Sequence, residues 1–364
     1  MIYFCYFIFG FLGVQFVVAL VNAVFSQKFD KLSQKPTDLV SVLIPARNEE
    51  KNIATILNDL LQQTYQNIEI LVFNDQSTDN TEKIVNEFSE KDKRIKLLNS
   101  NNLPLNWLGK NFACHSLSEI AVGKYFLFLD ADVRIYNEII SETITFSKKY
   151  KLGLLSIFPK QIMHTFGEKI CVPLMNYILL TLLPLILVRT TGFNSLSAAN
   201  GQFMFMEAET YKKLLPHKTM KNKPVEDIEI SRFYKKHKIK IACLSGKKDI
   251  TCRMYQSYNE AINGFSKNVT SFFGNSFLVA LLFWLITTFG FIPVLFFLNI
   301  EFFIAYFIVF VLIRFLVSYT SCQNIFENIF YSVIQQFVLG NIILQTIINK
   351  KNNKLIWKER NISF

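Results

Sequence analysis

Two aspartates separated by one alanine, Asp130-Ala131-Asp132, follow the short apolar run 125–129. At the end of a strand such a pair can approach one divalent cation, and its hard oxygen donors suit Mg2+ or Mn2+. A cation held there acts as a Lewis acid that neutralises charge building on a phosphate-bearing leaving group, with Asp132 the preferred ligand and Asp130 beside it. Alone, Asp-x-Asp is also common in solvated turns, so its context has to carry the assignment. A second acidic pair, Glu226-Asp227, opens a predicted helix over 225–238. An attacking group needs a base within hydrogen-bond reach, and Asp227, with Glu226 adjacent, is the candidate. The same carboxylates would also complement the dipole of a helix N-terminus.

The elements that must position these groups read as a soluble α/β domain. Residues 39–44 and 68–73 have strand length and β-branched content, and the apolar spacing at Ile53, Ile56, Leu57, Leu60 and Leu61 between them is helical. That order predicts a right-handed parallel crossover. A helix is expected over 81–88, with Asp79 as N-cap and Glu82 completing a capping box. Further strands are expected over 95–98, 125–129 and 201–206, with a helix over 208–215. The clusters Arg47-Asn48-Glu49-Glu50, Asn74-Asp75-Gln76-Ser77 and Asp130-Ala131-Asp132 each fall just after an apolar strand. In open α/β sheets ligands bind outside the carboxyl ends of parallel strands, so the three clusters should share one rim.

The rest of the chain is too apolar for a soluble domain: of 364 residues, 51% are hydrophobic and 15% aromatic. Residues 1–25 carry no charge and exceed the roughly 20 residues a crossing needs. Lys28, Lys31 and Lys35 follow this run rather than precede it, which predicts an uncleaved anchor over 1–27 rather than a signal peptide. A cytoplasmic catalytic domain over 38–270 is then followed by membrane helices over 275–349 and a basic cytoplasmic tail, 350–364. Within the membrane part, 277–298 and 302–319 read as spans. The stretch 329–348 is interrupted by Gln335, Gln336, Asn341 and Gln345 and is expected to lie at the interface, since a crossing would put Lys350, Lys351, Lys354, Lys358 and Arg360 on the wrong side. Residues 170–188, interrupted by Pro173 and Pro184, are expected in the membrane plane or re-entrant.

A net charge of +11 suits an anionic cytoplasmic leaflet; the lysine clusters lack interleaved aromatic residues, so nucleic acid is not an expected partner. The spans carry no internal charge other than Arg314 and show no repeat, which argues against a transporter. Six scattered cysteines and four histidines form no close metal-ligand spacing, and His164 as an extra metal ligand is a remote option.

Pro45-Ala46-Arg47-Asn48-Glu49-Glu50, Asn74-Asp75-Gln76-Ser77-Thr78-Asp79-Asn80-Thr81 and Asp130-Ala131-Asp132, in this order and spacing, resemble the family 2 glycosyltransferases of GT-A fold. Trp107-Leu108-Gly109-Lys110-Asn111-Phe112-Ala113, Arg253-Met254-Tyr255, Gly264-Phe265-Ser266-Lys267-Asn268 and Trp357-Lys358 narrow the resemblance to diaponeurosporenoate and hopanoid-associated glycosyltransferases. The resemblance implies that Pro45, Arg47, Glu49 and Asp75 line a nucleotide pocket, with Asp75 accepting a hydrogen bond from uracil. It implies that Lys110 faces the diphosphate, that Asp130 and Asp132 hold metal and donor, and that Asp227 is the base of an inverting displacement. Arg253 and Lys267 would touch acceptor or diphosphate. The expected activity is sugar transfer from a nucleotide sugar, a UDP-sugar by the resemblance, to a lipophilic acceptor such as a carotenoid acid. The alternatives are polyprenyl phosphate as acceptor, or a non-catalytic membrane protein that binds nucleotide sugars. Asn74-Asp75 departs from the paired aspartates of many relatives, and Glu359 from a more usual glycine. No Gln-x-x-Arg-Trp follows Glu226-Asp227, which favours a single transfer over processive synthesis.

Overall fold

The computed structural model describes residues 1–27, 29, 36–351, 356–357 and 360–361. Lys28, Lys31, Lys35, Lys354, Lys358 and Glu359, and the side chains of the rest of the basic tail, lie outside the described residues. An eight-stranded mixed sheet comprises β1 (Val40–Ala46), β2 (Ile68–Asn74), β3 (Ile95–Asn99), β4 (Tyr125–Leu129), β5 (Val133–Ile135), β6 (Leu154–Gln161), β7 (Phe203–Glu207) and β8 (Ile241–Cys252), in the spatial order β3-β2-β1-β4-β7-β6-β8-β5. β1 pairs parallel with β2 and β4, and β2 with β3, as the crossover pattern requires. The direction reverses where β7 runs antiparallel to both β4 and β6.

Alternation within the strands divides two cores. Val42, Ile44, Ile70, Val72 and Leu127 face the helix Ile53–Leu61 through Ile53, Ile56, Leu57 and Leu60. Leu43, Leu71, Phe126 and Phe128 face the helix Gly109–Ile120 through Ala113, Cys114 and Leu117. This second core runs without a break into Ile8 and Leu12 of the N-terminal helix and Ile313 and Val317 of a C-terminal one. The sheet is therefore covered on both faces, as its uninterrupted apolar strands demand.

Among the described residues three helices are long and apolar enough to cross a membrane: Ile2–Val24, Ile300–Thr320 and Ser332–Asn349. The first two carry outward-facing Phe4, Phe7, Val14, Phe302, Ile304 and Phe307 and come down on the sheet domain at their carboxyl ends. There Asn22 donates to the carbonyls of Leu180 and Leu183, at 3.0 and 2.9 Å, and Gln27 to that of Cys243. Cys322 Sγ donates to the Gly246 carbonyl at 2.9 Å. Gly246 has φ +72°, and a Cβ there would stand 2.0 Å from the Thr320 carbonyl oxygen, so only glycine allows this approach.

The expected span 277–298 breaks at Gly290 into Phe277–Phe289 and Phe291–Phe297, each too short to cross alone. Residues 170–188 fold as Pro173–Leu182 and Leu185–Thr190, with Pro173 at the first turn, where its missing N–H costs nothing. The first of these is packed against the N-terminal helix and helix Ile300–Thr320, with almost every side chain buried in protein. The final helix touches the sheet domain's attachments at both ends: Gln335 donates to the Lys169 carbonyl, Asn341 to Tyr258 OH, Thr346 to the Ser266 carbonyl and Asn349 to Ser266 Oγ. Its polar residues are spent on protein. Helix 81–91 also begins differently from expectation. Asn80 is the N-cap, Asp79 Oδ1 accepts from the Thr81 N–H, and Glu82 accepts from Asn74 and Asn99 instead of closing a capping box.

Candidate active site

The three acidic clusters do share the carboxyl rim of β1, β2 and β4. The loop after β1 and the loop after β2 are laced together. Asp75 N–H donates to the Ala46 carbonyl, extending the ladder, and Arg47 Nη1 donates to the carbonyls of Asp75 and Gln76 at 2.7 and 3.2 Å. The backbone N–H groups of Asn48, Glu49 and Glu50 then donate in turn to Ser77, Thr81 and Asp79. Asn48 and Gln76 adopt φ +52° and +55°, a turn conformation that asparagine tolerates well. Pro45 lies within β1 opposite Phe73, and Asp75 is buried at the rim.

A few residues along, a cavity of about 500 Å³ opens beside Asp130 and Asp132. Lys110, Glu226, Asp227, Gly201 and Gln202 complete its polar wall, and Phe158, Met175, Met254, Tyr255, Phe265 and Phe272 its apolar one. Lys110 reaches it because the first turn of helix Gly109–Ile120 is anchored: Trp107 stacks on His115, and Asn111 Nδ2 donates to the carbonyls of Met220 and Lys223. The Lys110 ammonium lies 2.8 and 3.0 Å from the two oxygens of Asp130 and 3.3 Å from Glu226 Oε1. Burial works against its charge, but Asp130 and Glu226 outweigh it and hold the ammonium well above the ordinary lysine value.

Asp227 accepts from the N–H of Gly201 and of Ile228, both at 2.8 Å. Burial first, then the charge of Glu226, pushes its carboxyl up to about 7. Asp132 is likewise pushed up to about 7, by burial and then by Asp130 and Glu49. Its Oδ1 is buried with no hydrogen-bond partner. Two carboxylates poised near neutrality across one cavity are what acid-base and cation chemistry require. The orphaned oxygen of Asp132 fits a divalent cation. Asp130 is the neighbouring donor, although Lys110 engages it. Among the described residues no three His, Cys, Asp or Glu side chains form a cage, so water and ligand oxygens would complete the shell.

Residues 41–169 match the model of glycosyl transferase family 2. The chain carries a family 2 glycosyltransferase domain. Curated relatives include a 4,4'-diaponeurosporenoate glycosyltransferase of Staphylococcus haemolyticus, 27% identical over 260 residues, which cover 69% of this chain and 66% of the relative. One of the same name from Staphylococcus aureus strain USA300 is 25% identical over 68% of this chain and 65% of its own length. The chain thus matches just under two thirds of the length of these relatives. An uncharacterized glycosyltransferase of Haemophilus influenzae is 40% identical over 113 residues, covering 30% of this chain and 33% of its own. The mannosyltransferase PcManGT from Pyrobaculum calidifontis, solved with GDP-Man and Mn2+, superposes over 95% of this chain and 99% of its own with TM-score 0.54 at 12% identity. That likeness, with the mixed sheet, identifies the GT-A fold.

The residues named from the sequence fall into three groups. Lys110, Asp130, Asp132, Glu226, Asp227 and Lys267 line the one cavity. Pro45, Arg47, Glu49 and Asp75 sit on the adjoining rim and do not line it. Arg253 stands apart: Nη2 is 2.7 Å from Glu168 Oε1, and Glu168, wholly buried, also accepts from the His164 N–H and from Thr165. Sequence reasoning missed Gly201 and Gln202. A Cβ on Gly201 would stand 3.0 Å from the Lys110 ammonium and 3.3 Å from Glu226. Gln202 accepts at its carbonyl from the Asp130 N–H and donates from Nε2 to Cys252 Sγ, which in turn meets Asp132. Both precede a strand antiparallel to β4, and no local motif marks them.

Proposed function

We propose that this chain is a membrane-bound, metal-dependent, inverting glycosyltransferase that moves one sugar from a nucleotide sugar, a UDP-sugar by the family resemblance, to a lipophilic acceptor. The observation that carries this reading is the two-sided cavity: carboxylates and Lys110 on one wall, and on the other apolar side chains from 254–272, the segment that leads into the C-terminal apolar helices. Arg47, Glu49 and Asp75, with Pro45, would hold the nucleotide on the laced rim. The diphosphate would then reach over Asp130 and Asp132 toward Lys110 and the N-terminus of helix Gly109–Ile120. A Mg2+ or Mn2+ ion held by Asp132 and Asp130 would supply Lewis-acid neutralisation of the leaving group. Asp227, fixed by two backbone N–H groups, takes the acceptor proton as the new glycosidic bond forms and the bond to the diphosphate oxygen breaks. Burial, and then the charge of Glu226, raises the Asp227 carboxyl toward neutrality, and Lys267 would face the incoming acceptor head.

The diaponeurosporenoate glycosyltransferases among its relatives suggest a carotenoid acid or other membrane lipid as acceptor. Two long apolar helices that both end on the sheet domain support a multi-pass protein, the net charge of +11 supports a catalytic domain on the cytoplasmic side, and the polar contacts at both ends of the final helix support its lying along the membrane. The test is release of nucleoside diphosphate and appearance of a labelled, organic-soluble product when membranes carrying the full chain receive labelled UDP- or GDP-sugars, lipid extract and Mn2+. Polyprenyl phosphate as the productive lipid would change the acceptor class. Nucleotide binding without any product would favour the non-catalytic reading. Unchanged turnover in Asp132→Ala would remove the metal assignment.

A further inference from the structure

Lys110 stands where a metal ion would be expected to act. Its ammonium contacts both oxygens of Asp130, at 2.8 and 3.0 Å, and also lies 3.3 Å from Glu226. It thereby bridges the Asp-x-Asp turn and the helix bearing Asp227. Asp132 Oδ1 is left with no partner. Only one of the two aspartates thus offers an open oxygen, and a single carboxylate is a weak site for Mn2+ or Mg2+.

Lys110 also has somewhere to go. Glycine at 201 leaves open the space beside the ammonium, where a Cβ would stand 3.0 Å from it, and that space belongs to the cavity lined by Asp130, Asp132 and Asp227. A diphosphate entering that space brings oxygen acceptors and negative charge that compete with Asp130 for the ammonium.

Resting on the metal reading above, we propose that Lys110 is a resident placeholder cation. In the ligand-free protein it neutralises Asp130 and suppresses metal binding. When a nucleoside diphosphate arrives, Lys110 transfers its contacts to the phosphate and Asp130 becomes available to the metal. Metal and nucleotide binding are then coupled, and by linkage each raises the other's affinity by the same factor. Catalytic carboxylates are also kept from filling with cations while no donor is present.

The test measures Mn2+ binding directly, by the electron paramagnetic resonance signal of free Mn2+, on the full chain in lipid nanodiscs with and without UDP, and with GDP in parallel. Wild type is expected to bind Mn2+ about tenfold or more tightly with nucleotide than without. Lys110→Gln is expected to bind Mn2+ about tenfold more tightly than wild type when no nucleotide is present, and to lose most of the nucleotide dependence. Lys110→Arg, which keeps the charge, is expected to retain weak nucleotide-free binding, and thermal melts report whether each variant is folded. If folded Lys110→Gln leaves nucleotide-free Mn2+ binding unchanged, or if wild type binds Mn2+ equally with and without nucleotide, the placeholder is overturned. Absence of Mn2+ binding in every form, with UDP or GDP present, overturns instead the metal reading on which it rests.

Discussion

The rim after β1 and β2 and the cavity wall beside β4 are built on opposite electrostatic plans. On the rim, Arg47, Asn48, Ser77, Asp79 and Thr81 are paired off in a continuous lattice. Although burial pushes the Asp79 carboxyl upward, hydrogen bonds from Thr81 and from the Glu50 N–H outweigh it and hold it below its ordinary value. On the cavity wall Asp132 and Asp227 are both driven up to about 7 by burial among other carboxylates. A saturated lattice is suited to recognising one ligand shape without rearrangement. Under-compensated carboxylates are suited to exchanging a proton or accepting a cation, and they cost stability while they wait.

The sharpest way to break this contrast is to remove the carboxylate proposed as proton acceptor. Asp227→Asn, which keeps the shape but cannot take a proton, is expected to lower kcat by about 10²- to 10⁴-fold while leaving nucleotide affinity within a small factor, measured by sugar transfer and by nucleotide titration. Asp132→Asn should lower kcat by about 10²-fold and abolish the response to added Mn2+, since the removed interaction with developing charge is worth several kcal/mol. On the rim the expected signature is different. Arg47→Ala leaves the 75–76 turn untied and should raise the donor KM about tenfold, with kcat changed much less, because it removes charge-assisted bonds of about 1.5–3 kcal/mol. On the apolar wall, a Cβ on Gly264 would overlap the Tyr255 ring, with the hydroxyl 2.1 Å away. Gly264→Leu should therefore displace helix Tyr258–Asn268 and raise the acceptor KM several-fold with the donor KM unaffected, read from product formation at varied acceptor.

The smallest effect concerns pH and stability. A carboxyl raised from 3.8 to about 7 binds a proton in the native state that the unfolded chain has already released, so native stability declines as pH rises through that interval. His217, pulled down to about 3 chiefly by burial, contributes the opposite slope below its ordinary value. The informative quantity is thus the difference from the Asp132→Asn, Asp227→Asn double variant. Relative to it, the ligand-free wild type should lose a few degrees of melting temperature between about pH 5 and pH 8. An unchanged difference would mean that the wall is as well compensated as the rim.

Which parts were legible in the sequence follows from the range of the interactions involved. β1, β2 and β4 and the polar clusters at their ends were readable because a buried parallel strand and the loop after it are adjacent in sequence. Lys110 and Asp227 could be singled out only through motifs, since nothing local says that positions 110, 130 and 226 meet. Gly201 had no motif at all, and its requirement arises from the Lys110 ammonium 91 positions away. The Arg253-Met254-Tyr255 motif marks Arg253 as a contact for acceptor or diphosphate, but its partner in the fold is Glu168, 85 residues distant. Hydropathy does not reveal the interruption at Gly290 within 277–298, because such a break leaves composition unchanged. It also could not show that 173–182 is wrapped by protein, since a helix surrounded by lipid and one surrounded by other helices are equally apolar.

The apolar face of the sheet that carries Leu43, Leu71 and Phe128 is continuous with Ile8, Leu12 and Ile313 of the long helices, and Gly246 lets one of those helices touch the sheet's backbone. No dotted line exists along which a water-soluble enzyme could be trimmed from its anchors. In the proposed membrane-bound state, lateral pressure and lipid thickness around those helices would bear on the same side chains that back the strands of the candidate active site. For the membrane-bound enzyme proposed above, the surrounding lipid would be a mechanical boundary condition on catalysis as well as a place to keep the acceptor.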